Sequence, residues 1–345
     1  MSTKRKISDD SEDKSTLERC VKHGKIQESD CTCSVLPYKI EAVTPPVQHG
    51  EGPHWDPKTN TLYYVDTFNA TACRFCPASK DARMTKYELD DRDSIGVIIP
   101  VKDNENDFIV TSDRYIYKLH WHTETNNKGT LSEIHFVDED KDKNQFNDGK
   151  ADSKGRLWTG TLTREKDLSV SPNGGCLFRF DLGEKVTRHI EDVSISNGIA
   201  WSKDNKRFFF TDSQTKKVVV YDFDEEAGTL GDHKVLFDLE EHPELEGIPD
   251  GLTIDEKDNL WIALFGGHGI IHVNGKTGKL MNYLKLPATY CTSACFGGPN
   301  QEVLFVTTSN FKLKKEEKDK EHLAGSVFAV TDIGVKGPAP YECAL

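Results

Sequence analysis

No run of apolar residues in this chain is long enough to cross a bilayer, so a membrane-spanning helix is not expected. The N-terminus, MSTKRKISDDSEDKSTLER, has no apolar stretch behind its basic residues and therefore lacks the middle segment of a secretory signal. Basic residues are in deficit: 44 Lys and Arg stand against 57 Asp and Glu, a formal net charge of −13, which leaves no broad basic surface for nucleic acid or an anionic membrane. The nine cysteines, at positions 20, 31, 33, 73, 76, 176, 291, 295 and 343, are odd in number and irregular in spacing. They do not form a disulfide framework, and free thiols point to a reducing, cytoplasmic setting. A Gly-x-Ser-x-Gly elbow, a phosphate-binding P-loop and a dinucleotide fingerprint are all missing, which removes the common serine-hydrolase and nucleotide chemistries. Helical periodicity is absent from the core of the chain as well.

What is present is a repeat. A length of 345 residues suggests two domains, but propeller folds exceed the usual domain size as one unit. One supersecondary unit, an apolar strand, a polar turn and a second apolar strand, recurs as GPHWDPKTNTLYYVD from Gly52, GKADSKGRLWTGT from Gly149, GIAWSKDNKRFFFTD from Gly198 and GLTIDEKDNLWIAL from Gly251. Two weaker copies begin at Gly96 and Ser293, and each of the six is followed by a further strand pair, as in KKVVVYDFD. Spacings of roughly 40 to 55 residues accommodate four strands each, so the expectation is an all-β, six-bladed β-propeller with four antiparallel strands per blade. Two β-sandwiches are the alternative, but sandwiches do not repeat one unit six times. Residues 1–36 are polar and charged and are expected to be a disordered extension, with residues 37–345 forming the propeller. A strand in VLPYKIEAV, from Val35, is expected to pair with the C-terminal SVFAVTDIGVKG and close the ring.

The residue before each anchor carries chemistry. Glu51, Asp148 (with Asn147 beside it), Asn197 and Asp250 occupy the equivalent position in four of the six repeats. One repeat position maps to one radius and height in a propeller, so these side chains should converge on the axis. Converging carboxylates repel unless neutralised, and hard oxygen donors suit Ca²⁺, Mg²⁺ or Mn²⁺, with Zn²⁺ also able to enter through carboxylates. Asp-Gly and Asn-Gly pairs also mark hairpin turns. Here, however, the turns are supplied downstream by DPKTN, DSKG, SKDNK and DEKDN. Cys73 and Cys76 lack the second pair that a structural zinc site needs, and His120 and His122 lack a third ligand, so both pairs read as packing or surface residues.

The blocks EGPHWD, NDGKAD, SNGIAWS, PDGLTID and CFGGPN, across roughly residues 44–337, resemble the regucalcin, gluconolactonase and luciferin-regenerating enzyme family. The resemblance implies a metal-dependent lactonase acting on sugar lactones, with one divalent ion held by Glu51, Asn197 and Asp250. Asp250 would also be the catalytic acid/base, and Asn147 and Glu165 would contact substrate. At a third substrate-contacting position, where the family carries an arginine, this sequence has Gln145, with Arg164 near enough in sequence to Glu165 to compensate. Two other readings compete: a non-enzymatic calcium-binding regulator, which the ligand set does not separate from the enzyme, and an interaction scaffold, against which the intact Glu51, Asn197 and Asp250 argue. The expected partner is a small-molecule lactone, with no nucleic acid, no membrane and a monomeric chain.

Overall fold

The computed structural model describes residues 38–79, 84–89, 92–123, 129–181, 183 and 185–345. The expected disordered extension, residues 1–36, lies outside them, as do residues 35–37 at the start of the anticipated closing strand.

Every repeat read from the sequence forms an antiparallel ladder. Sheet I runs Gly50–Asp56, Thr61–Asp66, Thr71–Phe75 and Met84–Glu88, and sheet II runs Ile98–Val101, Asn104–Ser112, Tyr115–His120 and Thr130–Phe136. Sheet III comprises Asn144–Ala151, Leu157–Arg164, Gly175–Asp181 and Lys185–Val193, with the short strand Val170–Ser171 added beside Leu157–Arg164. Sheet IV comprises Ser196–Trp201, Arg207–Asp212, Lys217–Asp224 and Thr229–Asp238. The remaining strands of the described residues form one eight-stranded sheet where two separate blades were expected. Within it, the ladder Ile248–Ile254, Leu260–Phe265, Gly269–Val273, Leu280–Lys285 meets the ladder Tyr290–Gly297, Val303–Ser309, Phe328–Thr331, Lys39–Ala42. The seam between the two ladders is the single pair Phe265 and Tyr290. Closure is as expected: Lys39–Ala42 pairs antiparallel with Phe328–Thr331, so the two ends of the described chain share one ladder.

The apolar runs explain the layering. In RFFFTD, Phe208, Phe209 and Phe210 are all buried although successive side chains point to opposite faces, because this strand has a sheet packed on each side. Phe208 and Phe210 join Trp158 and Leu177 of sheet III, while Phe209 packs with Leu252 and Ile262 of the neighbouring ladder. Each such side chain contributes about 1.5–3 kcal/mol of burial. Outer strands alternate less and face water, as in the largely exposed Thr229–Asp238.

In the four clearest units an acid binds the amides of the turn. Asp152 Oδ1 accepts from the Lys154 and Arg156 amides at 2.9 and 3.1 Å, and Asp152 Oδ2 accepts from the Trp158 indole at 2.9 Å. Asp255 repeats the device on the Lys257 and Asn259 amides at 2.8 and 3.0 Å. These hairpin acids lie at the end of the sheets opposite the anchor glycines. There the C-terminal segment crosses beneath the inner strands: the Cys343 amide donates to Pro100 O at 2.9 Å and the Ala344 amide to Gly155 O at 2.8 Å. Among the described residues no helix is long and apolar enough to cross a membrane.

Candidate metal centre

The innermost strands are not regular where the anchor dipeptides fall. The ladder register shifts between Glu51 and His54, Phe146 and Gly149, Asn197 and Ile199, and Pro249 and Leu252. A bulge places two residues against one and re-aims a side chain. Here it lets Glu51, Asp148, Asn197 and Asp250 leave the ladder's alternation and face one another across the inner strands. The glycine that follows each one has a steric reason. At Gly198 the backbone has a positive φ of 20°, and a Cβ would stand 2.7 Å from the Asp250 carbonyl oxygen, closer than carbon approaches oxygen without displacement. At Gly251 a Cβ would overlap the Ser293 side chain. The two remaining units carry no acid at this position: Ile95 is buried, and Thr292 Oγ1 donates to Gly50 O at 2.6 Å.

The four side chains share one electrostatic environment. Burial raises the Glu51 carboxyl well above the usual range, and the Asp250 and Asp148 carboxylates push it further. Burial also raises Asp250, with Asp148 adding to it and hydrogen bonding from Asn197 partly offsetting it. Asp148 is raised by burial against the pull of Lys150. Their remaining bonds are few. Asp148 Oδ1 accepts from the Gly149 amide at 2.7 Å, Glu51 Oε2 from the Gly52 amide at 3.1 Å, and Asn197 Nδ2 donates to Ser213 Oγ at 3.0 Å. That leaves Asp148 Oδ2, Asn197 Oδ1 and Asp250 Oδ1 buried without a hydrogen-bond partner among the described residues. An unpaired buried acceptor costs about 1–3 kcal/mol, and more when charged. By donor type, oxygens of this kind suit a hard divalent cation, which would satisfy their lone pairs and offset the repulsion that Asp250 and Asp148 exert on Glu51. Among the described residues no group of three or more His, Cys, Asp or Glu side chains is arranged to hold an ion. The expected set contains only two such side chains, Glu51 and Asp250, with the amide of Asn197.

The expected substrate-contacting residues divide. Asn147 lies in the same bulge as Asp148, and its Nδ2 donates to Ser196 O at 2.9 Å. Gln145 Nε2 is buried with no partner. The Glu165 carboxylate accepts from Lys143 Nζ at 2.8 Å and Ser171 Oγ at 2.7 Å, and the Lys143 hydrogen bond, followed by that of Ser171, lowers its pKa. Its neighbour Arg164 is buried in part, with Nε unpaired and the guanidinium 5.4 Å from the Phe68 ring centroid. The described cysteines, Cys73 and Cys76 among them, are buried free thiols, and His120 pairs with Asp107 at 2.7 Å on an exposed strand end.

Two residues escaped the sequence reading. His49 Nε2 lies 4.0 Å from Glu51 Oε1, and burial, then the Arg164 and Lys312 charges, push its pKa down to about 3, so the ring is neutral. Its position two residues before Glu51, on the same face of an extended segment, was the available signal. Lys150, two residues after Asp148, donates from Nζ to Leu252 O at 2.5 Å. With Asp148 it lines a cavity of about 130 Å³ bordered by Pro338–Tyr341.

Residues 49–310 match the family model described as the SMP-30/gluconolactonase/LRE-like region. A regucalcin from Xenopus laevis is 34% identical over 304 residues, covering 88% of this chain and 97% of its own length. A solved luciferin-regenerating enzyme superposes with a TM-score of 0.83 at 36% identity, over 89% of this chain and 100% of its own. A regucalcin from Agrobacterium tumefaciens, described as a calcium-binding protein, shares the fold at a TM-score of 0.77 and 24% identity, covering 87% of this chain and 95% of its own. The matched region begins at His49 and ends one residue past Ser309, its partner in an isolated bridge, so it takes in all four oxygen-bearing anchor positions. On that ground the chain belongs to the SMP-30/gluconolactonase/luciferin-regenerating enzyme family.

Proposed function

We propose that this protein is a metal-dependent lactonase: a cytoplasmic monomer, folded as a six-bladed propeller, that hydrolyses a small lactone at its axis. The six-bladed reading counts the eight-stranded sheet as two blades sharing the single seam pair Phe265 and Tyr290. The observation that carries the functional reading is the set of buried, unpartnered oxygens on Asp148, Asn197 and Asp250 beside Glu51. A divalent ion held by Glu51, Asn197 and Asp250 would supply Lewis acidity toward the lactone carbonyl oxygen.

The remaining steps belong to side chains of this chain. Asp250 accepts a proton from the attacking water, whose oxygen joins the carbonyl carbon as the bond from that carbon to the ring oxygen breaks. The same proton passes to the departing ring oxygen, so the product is a hydroxy acid. Asn147 is held by Ser196 O through one N–H, which leaves its carbonyl oxygen and second N–H for substrate. Gln145 offers an unpaired buried donor where relatives would place a charged fork.

The test is a panel of lactones offered to metal-stripped protein reconstituted in turn with Ca²⁺, Mn²⁺, Mg²⁺ and Zn²⁺. Turnover that disappears with chelator and returns with one of these ions supports the reading. Tight binding of an ion with no turnover on any lactone would replace it with the calcium-binding regulator.

A further inference from the structure

Around the axial cluster, on the side away from the hairpin acids, stands a rim of aromatic rings and two cations. Phe68 lies in the turn Thr67–Asn69 after the second strand of sheet I, Phe265 ends Leu260–Phe265, and Phe311 follows Val303–Ser309. Arg164 ends Leu157–Arg164. All four thus come from the same end of the second strands of their ladders, the end paired with the bulged halves of the inner strands: Glu51 sits opposite Val65 and Ile248 opposite Phe265.

The rings meet at His49, whose imidazole is 4.7 Å from the Phe68 centroid, 6.1 Å from Phe265 and 6.3 Å from Phe311. Phe68 and Phe311 are 4.4 Å apart. Each of these rings keeps part of its surface exposed, although aromatic side chains in the sheets around them are buried. The two cations sit on ring faces: the Arg164 guanidinium is 5.4 Å from the Phe68 centroid and the Lys312 ammonium 5.5 Å from that of Phe265. Arg164 Nη1 donates to Leu168 O at 3.1 Å while Nε is buried and unpaired. Neither cation has an acidic partner among the ion pairs of the described residues.

We propose that the substrate of this site is a lactone bearing a flat apolar ring and an anionic substituent, the ring lying against Phe68, Phe265 and Phe311 and the charge meeting Arg164 and Lys312. This rests on the lactonase reading and narrows it. A polyhydroxylated ring needs donors and acceptors all round its rim, whereas this rim offers chiefly ring faces, two cations and the unpaired donors Arg164 Nε and Gln145 Nε2, with few acceptors beside them, Asn147 Oδ1 and Thr67 Oγ1. Donors beside cations select an anion, and stacked faces select a planar ring. Glu165, the acid that would have met sugar hydroxyls, is already occupied by Lys143 and Ser171.

The experiment has a kinetic arm and a binding arm. In the first, metal-loaded protein is given a dihydrocoumarin carboxylate, neutral dihydrocoumarin and gluconolactone. The expected kcat/KM order is carboxylated aryl, neutral aryl, then sugar lactone, and Arg164→Gln lowers the ratio of the first to the second about tenfold. In the second, fluorescence anisotropy follows binding of coumarin-3-carboxylate to metal-stripped protein, with unlabelled gluconate as the competitor. Binding that gluconate does not displace, and that Phe311→Ala weakens about tenfold, supports the rim without reference to catalysis. Hydrolysis of gluconolactone in preference to both aryl lactones, or no binding of the coumarin probe, overturns the proposal and leaves the lactonase reading intact. Probe binding with no hydrolysis of any lactone would retain the rim as an aryl-anion site and remove the lactonase reading instead.

Discussion

Replacing Glu51 by Gln should move the stability of the stripped and the metal-loaded protein in opposite directions. In the stripped protein the Glu51 carboxyl is raised by burial, then by Asp250 and Asp148. The folded chain therefore holds a proton that the unfolded chain releases near pH 4.3, and stability falls as pH rises from that range through the folded value. Each pKa unit of such displacement is worth about 1.4 kcal/mol once the pH exceeds the folded value. Gln keeps an oxygen for the Gly52 amide, carries no charge and cannot repel Asp250 or Asp148, so at neutral pH the stripped variant should melt above the stripped wild type. Loaded protein behaves the other way. An ion at a hundred times its dissociation constant stabilises the fold by about 2.7 kcal/mol, roughly 4 °C for a domain of this size, and the variant should lose most of that rise. The assay is thermal unfolding at pH 7.5 in chelator and in saturating Ca²⁺ or Mn²⁺. Equal melting temperatures for wild type in chelator and in every ion would refute the reasoning. So would a variant that melts lower in chelator yet keeps the full rise with metal.

Asp250→Asn should keep an oxygen for the ion but accept no proton, so metal uptake persists while lactone turnover falls by about 10²-fold or more; undiminished turnover would remove Asp250 as the base. A chain ending at Gly325 loses Val327, Phe328 and Val330, each worth about 1.5–3 kcal/mol of burial, and uncovers Lys39–Ala42. That truncation should lower the melting temperature steeply, whereas removal of residues 1–36 should not, and equal effects would contradict ring closure by these strands. Lys150→Met fills the same space but strips Leu252 O of its donor and Asp148 of its nearby cation, a loss on the order of 1–3 kcal/mol in the absence of metal. The same variant should show a larger metal-induced rise in melting temperature, because the ion no longer shares the cluster with an ammonium.

The parts of this account that the sequence disclosed are those written into a repeat. Recurrence of strand, polar turn and strand placed every inner ladder, and the turn acids Asp152 and Asp255 are among the residues that bind the turn amides. The pairing of the two ends followed from an apolar segment near each terminus. The four anchor positions could be aligned because they are equivalent in the repeat, but the bulges that turn them inward leave no mark beyond the glycine. What lay outside the repeat was hidden. Phe68, Phe265 and Phe311 belong to turns and strand ends of differing length, and they become neighbours only when the ladders are arranged around His49. Glu165 is expected from likeness to a motif, and its contact with Lys143, which depends on how the chain turns after Arg164, is marked by no motif. The seam between Phe265 and Tyr290 joins two ladders whose repeats are separate in sequence, and no periodicity marks it.

The central claim is that Glu51, Asn197 and Asp250, with Asp148 beside them, hold one divalent ion. Titration calorimetry of the stripped protein with Ca²⁺ and Mn²⁺ tests it most directly, run in two buffers that differ in ionisation enthalpy. Because burial raises Glu51, Asp250 and Asp148, with repulsion from neighbouring carboxylates adding to it at Glu51 and Asp250, binding should displace protons as the ion takes their place. The account expects one ion per chain, an apparent enthalpy that changes with the buffer in the sense of proton release, and loss of both in Asp250→Ala. No heat of binding with either ion, or binding that Asp250→Ala leaves unchanged, would contradict it.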